Sequence, residues 1–231
     1  KKGINDSTWK HQGLLNKAVE SITEDDDYIY AGTRYSGVYR SSDNGETWIE
    51  ANEGLINKNI KDLMIDNDKI LAATYAGVYI SNDHGENWEP MNTGILNTNV
   101  YDIAADNEDI FISTFAKGVY KSNKEKKEWK PINKNLKTSS QYGLTFFTIS
   151  VFNDTLYTSS NETGELFYSG DSGNTWENFK GTDVFPKYNR ILAFSHNQLI
   201  VSSNKGVFLT SDKGETWLKA FNFIYRHYRD R

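Results

Sequence analysis

Short apolar runs separated by polar turn residues recur along the whole chain, and no segment shows a sustained helical period. In residues 58–92 this pattern predicts four strands: A over Ile60–Ile65, B over Lys69–Thr74, C over Gly77–Ser81 and D over Asn87–Met91. Asn67-Asp68 forms the A/B turn, Tyr75-Ala76 the B/C connection and Asp83-His84-Gly85 the C/D turn. Inner strands such as Ile70-Leu71-Ala72-Ala73 are nearly continuous apolar segments, as strands covered on both faces require.

The same unit returns along the chain. Ser41-Ser42-Asp43-Asn44-Gly45-Glu46-Thr47-Trp48 is echoed at residues 81–88, 169–176 and 210–217, in a decayed form at 122–129 with Lys124 and Lys126 in place of Asp and Gly, and in a partial form ending at Trp9. The tryptophans at 9, 48, 88, 129, 176 and 217 lie 39, 40, 41, 47 and 41 residues apart, the period of a four-stranded propeller blade. We therefore expect an all-β chain with the β-propeller fold, forming a single domain with blades at about 17–52, 58–92, 98–132, 145–180 and 189–220 and a lone strand at about 8–12. Five full units plus one strand suit either a five-bladed ring with an extra strand or part of a larger ring.

The S-x-D-x-G-x-T-W motif resembles the Asp-box, or BNR, repeat of sialidase-like, sortilin-like and photosystem II stability-factor-like propellers. That resemblance implies architecture more than activity, because such boxes occur in enzymes and in non-enzymes. The motif also has its own physical logic. An Asp carboxylate accepts bonds from N–H groups of its own turn, Gly supplies a positive φ, and Trp pins strand D onto its blade. Asp43, Gly45, Trp48, Asp83, Gly85, Trp88, Trp129, Asp171, Gly173, Trp176, Asp212, Gly214 and Trp217 are therefore read as structural, since a residue required once for chemistry would not recur at every hairpin.

Spacing points to where binding can sit. The strand-C glycine (37, 77, 118, 164, 206) precedes the box Trp by 11, 11, 11, 12 and 11 residues, so the C/D hairpin is constant in length. From each Trp to the next strand-A apolar residue (Ile22, Leu63, Ile103, Ile149, Leu192) the separation is 13, 15, 15, 20 and 16, so the D/A connections vary. These connections share a face with the B/C loops, where insertions commonly carry binding. Tyr35, Tyr75 and Phe115 occupy matching B/C positions, suited either to stacking on a sugar or peptide or to packing on neighbouring blades. Arg34, Lys117, Asn161, Glu162, Asn204 and Lys205 add polar groups in B/C loops, with Gln141, Tyr142, Asp183 and Lys187 in the longer D/A connections. Asp62 and Asp102, at equivalent strand-A positions, are weighed as paired acids of a glycosidase against a structural use.

Composition narrows the partners. A net charge of −5 argues against nucleic acid, which needs a concentrated positive field. The chain has no cysteine, and its four histidines show no metal-ligand spacing, so neither metal nor cofactor is expected. No apolar run is long enough to insert into a membrane. The chain starts Lys1-Lys2-Gly3, which leaves room for a preceding leader, and a secreted or cell-envelope location is expected.

The expectation that follows is a non-enzymatic module that binds a protein or a glycan on its loop face. The alternatives implied by the resemblance are a glycoside hydrolase, of sialidase-like or xyloglucan-hydrolase-like kind, and an assembly factor like the photosystem II stability factor. A sialidase-like site implies an arginine triad, of which Arg34, Arg40 and Arg190 are the members outside the C-terminal tail, and Arg40 lies beside the box hairpin. The basic loop-face patch implied by the stability factor is not evident in an acidic chain. Because the box is read as structural, Asp43→Ala is expected to leave binding or turnover unchanged in folded protein; loss of either, with a native circular-dichroism spectrum, would overturn that reading.

Overall fold

The computed structural model describes residues 13–125, 128–137, 143–160, 163–181, 191–195, 198–203 and 205–221. Among these the regular structure is entirely β, in five four-stranded sheets, each a meander of consecutive strands. The first contains β1 (Val19–Glu24), β2 (Ile29–Thr33), β3 (Gly37–Ser41) and β4 (Ile49–Glu50). The second contains β5 (Ile60–Asp66), β6 (Lys69–Thr74), β7 (Gly77–Ser81) and β8 (Glu89–Pro90). Next come β9 (Val100–Ala105), β10 (Asp109–Thr114), β11 (Gly118–Asn123) and β12 (Trp129–Pro131). The fourth holds β13 (Phe146–Phe152), β14 (Thr155–Ser160), β15 (Leu166–Ser169) and β16 (Glu177–Asn178), and the fifth β17 (Ile191–Ser195), β18 (Gln198–Ser203), β19 (Gly206–Thr210) and β20 (Leu218–Phe221). These are blades of a β-propeller. The strand expected at 8–12, with Trp9, lies outside the described residues.

The chain packs as two compact units, one of residues 1–103 with 126–129 and the other of 104–125 with 130–231. In the first, Tyr30, Val38, Ile60, Leu63, Ile70, Ala72, Tyr79 and Trp88 form the core. In the second, one cluster gathers Phe111, Val119, Phe146, Ile149, Leu156, Phe167 and Trp176, and another Leu166, Phe179, Leu199, Val201 and Phe208. Strands β6 and β7 are buried along almost their whole length, which accounts for their unbroken apolar sequence. Of the strand-A positions, Leu63, Ile103 and Ile149 are buried whereas Ile22 is 66% exposed.

The C/D hairpins repeat to the atom. In the first, Ser41 Oγ donates to Asp43 Oδ1 (2.7 Å) and accepts from the Gly45 N–H (2.8 Å). Asp43 also accepts from the Thr47 N–H (2.8 Å) and the Thr47 hydroxyl (2.5 Å). Asp171 and Asp212 reproduce the pattern with Thr175 and Thr216, and Asp83 does so with the Asn87 amide. Both central residues of these turns have positive φ, as in Asn44 (60°) with Gly45 (85°) and His84 (56°) with Gly85 (81°). Gly supplies the positive φ expected of it, and the residue before it does so too: two such residues in succession give the I′ turn, whose twist matches the strands it joins.

The tryptophans do not pin strand D to its own blade, as the sequence suggested. Trp88 Nε1 donates to Ala51 O (2.9 Å), Trp129 to Met91 O (2.7 Å), Trp176 to Ile132 O (2.7 Å) and Trp217 to Lys180 O (3.2 Å), each a carbonyl just beyond strand D of the preceding repeat. A side chain that bonds about forty residues back fastens one repeat to the one before. Trp48 instead bonds Gly45 O in its own hairpin (3.0 Å) and is only half-buried. Trp129 is buried and bonded although its hairpin has lost the Asp and the Gly.

Trp88→Ala is expected to cost about 3–5 kcal/mol in urea denaturation, as for a buried aromatic leaving a cavity, and Trp48→Ala distinctly less; equal costs would refute the difference in roles. The carboxyls of Asp43, Asp171 and Asp212 titrate at about 2, below their ordinary 3.8, chiefly because the hydroxyls of Thr47, Thr175 and Thr216 bond the ionised form. A depressed pKa stabilises the fold fully above the unfolded value and progressively less as pH falls toward the folded one. The urea midpoint is therefore expected to drop between about pH 4 and pH 2, and to drop less in an Asp43→Asn, Asp171→Asn, Asp212→Asn variant.

Candidate binding surface

The B/C turns are built by two side chains that recur in register. Thr33 and Thr74 donate their hydroxyls to Gly37 O (2.8 Å) and Gly77 O (2.9 Å), and accept from the N–H groups of Ser36 and Ala76. From the other side Asn52 and Asn92 accept the Val38 and Val78 N–H (2.8 Å each) and donate to Ser36 O and Ala76 O (3.2 and 3.3 Å). A Cβ on Gly77 would sit 2.0 Å from Asn92 Oδ1, so the clamp closes only on glycine. In the second unit Thr114 and Asn133 hold Gly118, Val119 and Lys117 in the same way.

These asparagines open a second repeated motif that the sequence reading overlooked, Asn52-Glu53-Gly54-Leu55-Ile56-Asn57 and Asn92-Thr93-Gly94-Ile95-Leu96-Asn97, with Gly13-Leu14-Leu15-Asn16 as a third partial copy. Leu55 is buried, but the residue after it is turned out: Ile56 is 84% exposed, and at the matching places Leu96 is 75% and Leu15 68% exposed. Backbone bonds bring these connections against the B/C turns, from the Arg34 N–H to Ala18 O (2.9 Å) and from the Gly37 N–H to Lys58 O (3.0 Å).

Tyr35 stands on its turn 74% exposed. Tyr75 is half-buried, edge-on to Tyr101 (5.9 Å, 79°), with Lys61 Nζ 4.5 Å from its ring centroid. Bulges set these contacts. The register of β1 slips at Glu20 and that of β5 at Lys61, which re-aims both side chains at the B/C turn. Glu20 accepts the Arg34 Nε–H, a bond that raises the guanidinium pKa. Lys17 Nζ bonds Ser36 Oγ (3.1 Å).

In the second unit Phe115 is half-buried, and Lys117 and Lys205 are exposed. Gln141, Tyr142, Asn161, Glu162, Asp183, Lys187, Arg190 and Asn204, together with Lys126 and the C-terminal tail, lie outside the described residues. Asp62 accepts from Ser21 Oγ (2.8 Å) and from the Ile103 N–H (3.4 Å), and the Leu63 N–H bonds the same serine (3.1 Å), so this carboxylate links successive inner strands. Arg40 is turned to the next C/D hairpin, bonding His84 O (2.7 Å) and Glu86 (3.1 Å) and covering the Tyr28 ring.

Charge in the first unit follows the connections. Its A/B turns and C/D hairpins carry Asp25, Asp26, Asp27, Asp43, Glu46, Asp68, Asp83 and Glu86, whereas its B/C turns and D/A connections carry Lys17, Arg34 and Lys58 with Glu53. Three cations of the first unit thus gather in these connections, with Glu53 beside them and Glu20 on Arg34, in a chain of net charge −5.

No protein-family model and no curated protein sequence matches the chain. Among solved structures it is similar to an ancestral GH74 enzyme (20% identity, TM-score 0.70, 90% of this chain and 32% of that one). It is also similar to the extracellular domain of a hybrid two-component system from B. thetaiotaomicron (14%, 0.71, 91% and 28%) and to YCF48 bound to D1 peptide (15%, 0.64, 88% and 67%). The chain thus spans about a third or less of the first two and about two thirds of the third. At these identities the likeness establishes the propeller fold.

Proposed function

We propose that the chain is a binding module, without chemistry of its own, that takes an extended protein segment on the B/C and D/A surface of its first unit. The observation that carries this reading is the exposed trio Leu15, Ile56 and Leu96, repeated at one place in successive connections, with Tyr35 exposed on the first B/C turn. Apolar residues scattered singly need no explanation, but a repeated apolar position held out of the core by a braced turn marks an interaction surface. Aliphatic side chains suit the apolar side chains of a peptide better than the face of a sugar, which favours a protein partner over a carbohydrate. Lys17 and Lys58 favour acidic groups flanking those anchors.

The likeness to YCF48 bound to D1 peptide supports a fold able to receive a peptide. Similarity to an extracellular domain supports a secreted or cell-envelope setting. Against glycoside hydrolysis, the activity class of the GH74 neighbour, Asp62 serves as a hydrogen-bond link between strands.

Selection of a phage-displayed random peptide library on the parent protein, against an Ile56→Asp, Leu96→Asp variant as the counter-target, is expected to enrich peptides with apolar anchors and acidic flanks. Affinity should fall at least tenfold in Tyr35→Ala. Turnover of fluorogenic sialosides or β-glucans by the parent would overturn the reading, as would peptides that bind the counter-target equally well.

A further inference from the structure

A different feature belongs to the second unit. Between its fourth and fifth sheets, at the A/B-turn end, lies a pocket of about 220 Å³ walled by Phe152, Tyr157, Phe179, Phe194 and Leu199. Phe152 and Phe194 stack face to face (4.4 Å, 4°), and Tyr157 leans against Phe194 (4.6 Å). Thr210 and the exposed Asn153, Ser211 and Lys213 complete the lining. Among the residues lining the pocket none bears a carboxylate. Among the described residues Lys213 forms no ion pair; its Nζ rests 4.7 Å from the Tyr168 ring centroid.

The repeat supplies an internal control. The corresponding gap between the first and second sheets has similar volume, about 280 Å³, but is lined by Asp25, Asp26, Asp27, Asp68 and His84. Phe194 pairs with Leu199 as Ile65 pairs with Ile70, and Lys213 holds the same left-handed hairpin place (φ 55°) as His84 (φ 56°). Packing one sheet on the next therefore does not by itself demand an aromatic wall or a cation here.

The geometry points to a site for a single aromatic ring bearing a carboxylate, the ring lying against Phe152, Tyr157 and Phe194 and the acid reaching Lys213. Volume sets the size: drug-sized ligands occupy pockets of roughly 300–1,000 Å³, so 220 Å³ takes one ring and a short acid arm. Charge sets the sign, because an ammonium with no carboxylate among the lining residues attracts an anion and has nothing to offer a cation. Ser211 and Asn153 supply neutral donors for the second carboxylate oxygen. Such a group arises either as a free arylalkanoic acid or as the C-terminal aromatic residue of a peptide.

The test is calorimetric titration of the whole chain with 3-phenylpropionate, 3-phenylpropionamide, and a short peptide ending in Phe with a free or an amidated C-terminus. We expect the acid to bind and the amide to bind at least tenfold more weakly. Lys213→Asn, which installs the residue found at the same place in the first hairpin, should remove the preference for the acid without altering the urea midpoint. Phe194→Ile, copying Ile65, should weaken acid and amide alike. Tighter binding of the free-carboxylate peptide would assign the site to a chain terminus, and binding of phenylpropionate alone to a small acid. No binding of either acid by folded parent protein at millimolar concentration, or equal binding of acid and amide that Lys213→Asn leaves unchanged, would overturn the proposal.

Discussion

From the second repeat onward, each is fastened to the one before it by an indole. The Trp ring enters the core of its unit and its N–H reaches a carbonyl beyond the preceding strand D, at Ala51, Met91, Ile132 and Lys180. A buried N–H without a partner is costly, so the ring's position and the path of the preceding connection are fixed together. The main chain adds to this: the Trp88 N–H bonds Glu53 O and the Trp129 N–H bonds Thr93 O. Strand D is short for that reason. Only Tyr79 with Pro90 and Ile80 with Glu89 pair across β7 and β8, because the residues before them are bonded to the previous repeat.

With the seam held by Trp, the hairpins and B/C turns become local devices. An Asp caps each intact C/D turn and an Asn clamps each of the first three B/C turns, both by bonds within or next to the turn. The decayed repeat shows their separability, since Trp129 keeps its bond to Met91 after the Asp and Gly are gone. Residues outside this frame are free to differ. They do so in the aromatic pocket around Phe194, where the fifth sheet departs from the composition of the second.

Much of the architecture was legible in advance because β-periodicity and turn chemistry are local. Strands B and C of the second unit run over the expected Lys69–Thr74 and Gly77–Ser81, and strand A extends only one residue further, to Asp66. The surface was less legible. Tyr35 and Tyr75 occupy one place in the repeat, yet one is exposed and the other lies edge-on to Tyr101 with the Lys61 ammonium over its ring, contacts made by residues far along the chain. The exposed aliphatics did carry a signal, the Gly-Leu-Ile-Asn spacing that follows strand D, but hydrophobicity alone reads them as core.

Sequence by itself determined what depends on near neighbours: the strand periods, the tight C/D hairpins from Asp-x-Gly, and the recurrence that makes blades. Only tertiary structure decided what depends on distant partners. It showed that the indoles reach backward, that Asp62 is a link between strands, that the acids and cations of the first unit part company by connection, and that one inter-sheet gap is acidic and another aromatic. The physical reason is range. A hydrogen bond within a turn is specified by a few consecutive residues, whereas a contact across some forty residues depends on where the sheets bring its two ends.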